Sequence, residues 1–166
     1  MQILNGNDSR NTETSDCMRG HYAFVMMVQE KYWIRYRDRC HDGKMVHAYV
    51  ARGKAPPKMA RVLLFYVSRP VRAICGYAEF VGRELGDPQT LWSRRCEESV
   101  LRSKEEYEQF IGTSSSVSFI RFTGLCEAFN PVSLKDLLAF FGVRRLSRKG
   151  FYLGKAAADM LISMMT

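Results

Sequence analysis

The run from Arg61 to Val67, unbroken in its apolar residues from Val62 onward and fenced by Pro57 before it and Pro70 after it, is the feature that most constrains this chain. A run this short, with no polar face and a proline at each boundary, reads as a strand buried on both sides. Ala23 to Val28 has the same character. Val46-His47-Ala48-Tyr49-Val50 alternates with period two, and the polar stretch Arg52 to Lys58 links it to the apolar run. Val71 to Val81 continues in β pattern, with Ile74, Ala78 and Phe80 expected on one face and Cys75, Tyr77, Glu79 and Val81 on the other. Gly76 marks a bulge or a close approach there.

Helix signals dominate the second half. Asp87-Pro88 reads as an N-cap with proline at the first helical position, followed by Leu91, Trp92 and Cys96 on one face. Ser103 to Glu106 and Ser133 to Asp136 fit the capping pattern. The first leads Tyr107, Phe110 and Ile111 to a stop at Gly112; the second leads Leu134, Leu137, Leu138 and Phe141 to Gly142. Ser116 to Phe122 reads as a strand between them. A short strand, Phe151 to Leu153, and a helix carrying Ala157, Met160, Leu161 and Met164 as its apolar residues are expected at the end. The stretch Glu30 to Cys40 fits either periodicity. A helix is favoured, because Asp42-Gly43 supplies a turn and a strand of this charge would leave a very basic sheet edge. Tyr32, Tyr36 and Cys40 then form one stripe, with Lys31, Arg35 and Arg39 beside it.

With 166 residues and 46% hydrophobic content, the chain is one core-forming domain rather than a tail or a stapled mini-protein. Residues 1–20 lack hydrophobic period and are expected to be a flexible arm, with the compact domain over 21–166. No apolar stretch approaches membrane-spanning length, and no secretory core follows Met1. Five cysteines without a C-x-x-C pair predict a reduced, cytoplasmic protein with no zinc site. Charge is regional: residues 1–18 carry a net −2, residues 19–72 a net +9 and residues 73–166 a net +1. A surplus confined to one third of the chain points to a polyanion or to phosphate groups.

The phosphate-loop, dinucleotide, zincin and nucleophile-elbow motifs are all missing. Cys40 with His41, or Cys75 with His47, are conceivable nucleophile pairs, but apolar-flanked cysteines read as buried filler.

The run Val62-Leu-Leu-Phe-Tyr-Val-Ser-Arg-Pro70, followed by Val71-Arg-Ala-Ile-Cys-Gly76-Tyr-Ala-Glu-Phe, resembles the strand-turn-strand signature of the PUA-like superfamily, in its ASCH and EVE branches and related archaeal proteins. Gly86-Asp-Pro-x-x-Leu-Trp92, the Glu-Glu-Tyr107 helix and Phe119-Ile-Arg-Phe122 are similar in order and spacing, so the resemblance spans about Ala23 to Leu161. It implies an α+β fold, a PUA-like mixed β-barrel with flanking helices, whose cleft receives RNA, a modified base or another nucleic acid. Neither a cofactor nor a metal is expected.

The residues agree with that expectation. Cations Lys31, Arg35 and Arg39 beside the rings of Trp33 and Tyr36 suit a single strand, the cations taking phosphates and the rings taking bases. Lys44, Lys54, Lys58, Tyr66 and Arg69 complete the expected set. Equally, Trp33 and Tyr36 would pack their helix on the sheet if the arginines face water. The resemblance also implies an alternative, an amidohydrolase acting on an acylated nucleoside. Gly43-Lys44 fits the start of that motif and Glu79 its carboxylate, while His47 stands at the threonine position. A surface for an acidic protein partner is a third possibility. Binding in one cleft requires a concave site gathering Trp33, Arg35, Lys44 and Tyr66, with Glu79 nearby.

Overall fold

The computed structural model describes residues 20–166. The arm expected over residues 1–20 therefore lies almost wholly outside the described residues, as does Cys17. Six strands and five helices follow in the order β1 (Ala23–Val28), α1 (Glu30–His41), β2 (Val46–Arg52), β3 (Val62–Val67), β4 (Ala73–Gly86), α2 (Pro88–Arg95), α3 (Lys104–Ile111), β5 (Val117–Ser133), α4 (Leu134–Phe141), β6 (Phe151–Leu153) and α5 (Lys155–Met165). The strands form one mixed sheet in the order β2-β5-β4-β3-β1-β6, the α+β architecture expected. β1 and β3 run parallel, in register from Ala23 opposite Val62 to Val28 opposite Val67; the other pairings are antiparallel.

The two continuous apolar runs are the central parallel pair, and each is buried on both faces. Phe24, Met26 and Val28 of β1 join Leu63, Phe65 and Val67 of β3 in one core, closed by Trp33 and Tyr36 of α1 and by Phe119 and Phe122 of β5. The intervening residues Ala23, Val25, Leu64 and Tyr66 enter a second core on the other face, closed by Leu137 of α4 and Leu161 of α5. A strand between two helical layers needs no polar face, which is why its sequence shows none.

The caps form where expected. Asp87 accepts from the Thr90 N–H at 2.9 Å, Ser103 Oγ from the Glu106 N–H at 3.1 Å, and Ser133 Oγ from the Asp136 N–H at 3.2 Å. Gly76 is a close approach: a Cβ on it would lie 2.5 Å from the Cys126 carbonyl oxygen and 2.6 Å from the Trp33 ring.

Two expectations change. β5 continues past Phe122 to Ser133, paired with a β4 that extends to Gly86, so the two form one long ribbon. Register shifts near Gly76 break the alternation of β4. Ile74 joins the α4–α5 core, while Cys75, Ala78 and Phe80 face the α1 side, so Ile74 does not share a face with Ala78 and Phe80. In α5 the buried face is Ala158, Leu161 and Met165, leaving Met160 at 57% and Met164 at 43% exposure. The methionines fit either phase, and docking on the sheet chose between them. No helix among the described residues is long and apolar enough to cross a membrane.

Candidate nucleic-acid interface

Helix α1 turns its rings inward and uses two of its arginines to hold neighbouring chain. Trp33 is only 5% exposed, with its ring centroid 5.6 Å from that of Phe65, and Tyr36, 2% exposed, donates its hydroxyl to the Ala48 carbonyl at 3.0 Å. Arg35 pairs with Glu106 at 2.6 Å and donates to the Val100 carbonyl at 3.1 Å. That hydrogen-bonded guanidinium holds the Glu106 carboxyl below its ordinary range. Arg39 donates to the carbonyls of Ser99 and Glu97. These contacts fasten the segment leading into α3. Lys31 is exposed, with its ammonium 4.8 Å from the centroid of the Tyr32 ring. Lys44 is half-buried just beyond α1, and Lys54 and Lys58 are exposed on the loop between β2 and β3.

The Lys44, His47 and Glu79 arrangement is not assembled. His47 is fully buried, 5.4 Å from Phe122 and 5.8 Å from Tyr36 between ring centroids, and neither ring nitrogen has a hydrogen-bond partner. It lies opposite Phe122, which lies opposite Phe80. Glu79 precedes Phe80 without a bulge between them, so its exposed carboxylate leaves from the other face of the sheet. Burial first, then the Arg39 charge, lowers the His47 pKa from its ordinary 6.5 to about 4, with the Lys44 backbone opposing. A depressed folded-state pKa means stability is fully present above about pH 6.5 and is lost as pH falls toward 4. We expect a loss of up to roughly 3 kcal/mol across that window. Urea melts at pH 7 and pH 4.5 check it, and His47→Leu should flatten the difference. Cys75 also stays protonated, its thiol pushed up to about 11 by burial and then by Glu127 and Glu30.

The open concavity lies on the opposite face of the sheet from α1. It has a volume of about 970 Å³ and is lined by Met27 of β1, by Tyr66, Ser68, Arg69 and Arg72 of the β3–β4 corner, by Leu134 and Leu138 of α4, and by Arg144 to Arg148. Five of these residues are arginines and none is acidic.

Two anchors shape it. At the corner, the Ser68 N–H donates to the Val28 carbonyl at 2.9 Å and the Val71 N–H to the Ser68 carbonyl at 3.1 Å, which turns Arg69 outward. Arg72 takes a positive φ of 52°, and its carbonyl accepts from the Leu134 N–H at 2.8 Å, tying the corner to the start of α4. The second anchor is the 143–149 loop, held at each end. Gly142 ends α4 in the left-handed conformation, and a Cβ on Gly150, at φ 82°, would lie 2.4 Å from the Val25 carbonyl oxygen. Leu146 is half-buried between them, while Arg144, Arg145 and Arg148 stay exposed.

Tyr66 sits at the floor of this cleft with 8% exposure, and desolvation raises its phenol pKa against the pull of the Arg72 charge. It is therefore a neutral donor at physiological pH. Chemically, the cleft offers fixed positive charge, hydroxyls from Tyr66, Ser68 and Ser147, and an aliphatic floor. Phosphate oxygens suit the first two and a base suits the third.

Of the expected site residues, only Tyr66 and Arg69 lie in this cleft. Trp33, Tyr36 and His47 are interior, and Arg35 and Arg39 are engaged on the other face. The cleft adds Arg72, Arg144, Arg145, Ser147 and Arg148, which the sequence reading does not single out. Their signal is present in Val143-Arg-Arg-Leu-Ser-Arg-Lys-Gly150, which holds four cations between two turn positions, but it vanishes in the near-neutral total of residues 73–166. The acids that cancel it sit elsewhere: Glu84 and Glu98 are paired with Arg95 and Arg121.

No family model matches the chain. A curated protein of Zymomonas mobilis, described as an ASCH domain-containing ribonuclease, is 30% identical over 110 residues, covering 66% of this chain and 74% of the relative. The crystal structure of ASCH from Zymomonas mobilis superposes with a TM-score of 0.72 at 19% identity, covering 87% of this chain and 96% of that one. A serine-to-alanine variant of it gives 0.73 over 89% and 99%, also at 19% identity. A tyrosine-to-phenylalanine variant gives 0.69. At that identity the superpositions speak for the fold.

Proposed function

The chain belongs to the ASCH-domain family, and from that premise we propose that it binds single-stranded RNA in the arginine-lined cleft and cleaves the strand there. The observation that carries this proposal is the composition of the cleft: five arginines, three hydroxyl side chains and four apolar ones, with no acid among the described residues that line it. Phosphodiester cleavage passes through a phosphorane with added negative charge. Fixed guanidiniums stabilise that charge more than they stabilise the starting diester, which is the requirement for catalysis. Tyr66 supplies a proton or a hydrogen bond at the reacting phosphate, since burial keeps its phenol protonated. The description of the Zymomonas relative as a ribonuclease supports the reaction class, and the variants solved for that protein replace one serine and one tyrosine, both of them residue types found in this cleft.

The test is a fluorophore–quencher RNA strand incubated with the full chain. Wild-type protein should release fluorescence. Tyr66→Phe should cut the rate by roughly a hundredfold or more while changing affinity only a few-fold. An unchanged rate in Tyr66→Phe would remove the cleft from the reaction, and binding without turnover in the wild type would reduce the protein to an RNA binder.

A further inference from the structure

Resting on that proposal, the side chains of the cleft also constrain where the nucleophile comes from. Among the described residues its lining consists of guanidiniums, hydroxyls, a thioether and aliphatic carbons, with no carboxylate, imidazole or thiol. The three histidines of the chain are all elsewhere. His47 is sealed in the α1-side core, His21 lies tilted against Tyr152 with ring centroids 4.1 Å apart, and His41, at the end of α1, approaches Glu127 at 3.8 Å. Among the described residues, then, no side chain lining the cleft accepts a proton near neutral pH, and none there serves as a general base for a water molecule.

We infer that the attacking group is the substrate's own 2′-hydroxyl, so that the cleft cuts RNA but not DNA and leaves a 2′,3′-cyclic phosphate. The 2′-oxygen forms its bond to phosphorus as its proton passes to solvent. The P–O5′ bond breaks, and the departing 5′-oxygen takes the proton of the Tyr66 phenol, which recovers one from water. The step is an internal transesterification that consumes no co-reactant. The neighbouring 2′-hydroxyl is already at the phosphorus, so proximity replaces much of the work of a base. Guanidiniums around the phosphate lower the cost of the 2′-oxyanion as well as that of the phosphorane. The same arginines do not read the sugar, so a DNA strand binds without being cut.

The experiment uses the full chain and three strands of one sequence: all-ribo, with a single 2′-deoxy substitution at the mapped scissile nucleotide, and with a single 2′-O-methyl substitution there. Both substituted strands should bind like the parent and be cut at that position at least about a hundredfold more slowly. Mass spectrometry of early time points should show the 5′ fragment ending in a cyclic phosphate, lighter by one water than the linear form. The rate on the all-ribo strand should climb with pH from 6 to 9 rather than peak near neutrality. Comparable cutting of the 2′-deoxy strand at the same bond, or a linear phosphate as first product, would overturn this inference and leave RNA cleavage in the cleft intact. No cutting of the all-ribo strand would overturn both.

Discussion

Replacing Arg69, Arg72 and Arg145 together by alanine lowers affinity for single-stranded RNA by roughly a thousandfold at low salt, on the expectation that each lost charge-assisted contact is worth at least about 1.5 kcal/mol. Fluorescence anisotropy across a salt series checks it. The slope of log affinity against log salt should flatten by about 2, since each phosphate contact on a single strand contributes about 0.7. The matched control is the double variant Arg35→Ala, Arg39→Ala on the other face of the sheet. Those guanidiniums hold Glu106 and the carbonyls of Glu97, Ser99 and Val100, so their loss should lower the melting temperature and leave the salt slope alone. The opposite pattern, with affinity lost in the α1 variant and kept in the cleft variant, would move the binding site to the other face.

Trp33→Ala is expected to cost roughly 3–5 kcal/mol of stability, because the buried indole packs between Phe65 and the β-carbon-free backbone of Gly76 and its removal leaves a cavity there. For a domain of this size that is a drop of roughly 10 °C in melting temperature. RNA affinity, measured where the variant is still folded, should not change, since the cleft and the indole lie on opposite faces of the sheet. Circular dichroism melts and an anisotropy titration of the same preparation separate the two effects. A stable variant with weakened binding would return Trp33 to the interface. Gly76 makes the same point from the other side: any side chain there meets the Cys126 carbonyl and the Trp33 ring together.

Elements whose signal is local were legible in the sequence. The double-sided burial of β1 and β3 is written as unbroken apolar runs, and the three capped helices are announced by Asp87, Ser103 and Ser133, because a cap needs only residues within one turn of itself. The choice of helix for Glu30 to Cys40 rested on the turn at Asp42-Gly43, and the helix found there ends at His41. The family resemblance carried by the Val62 to Phe80 run belongs with these, since it is a property of consecutive residues.

What the sequence left open are the features made by residues far apart. A stripe of rings beside a stripe of cations looks the same whether the rings meet a ligand or a sheet, and only the docking of α1 on Phe65 and Phe122 turned Trp33 and Tyr36 inward. The phase of α5 and the face of Ile74 depend on a partner surface and a bulge, neither of which leaves a periodic trace. The cleft is the clearest case. It joins the β3–β4 corner to a loop more than seventy residues later, through a hydrogen bond from Leu134 to Arg72 and the contact of Gly150 with β1. Composition and motif determined that the chain would make a mixed sheet with a basic surface. Which arginines share that surface was decided by tertiary structure alone, because charge adds up in space and not along the chain.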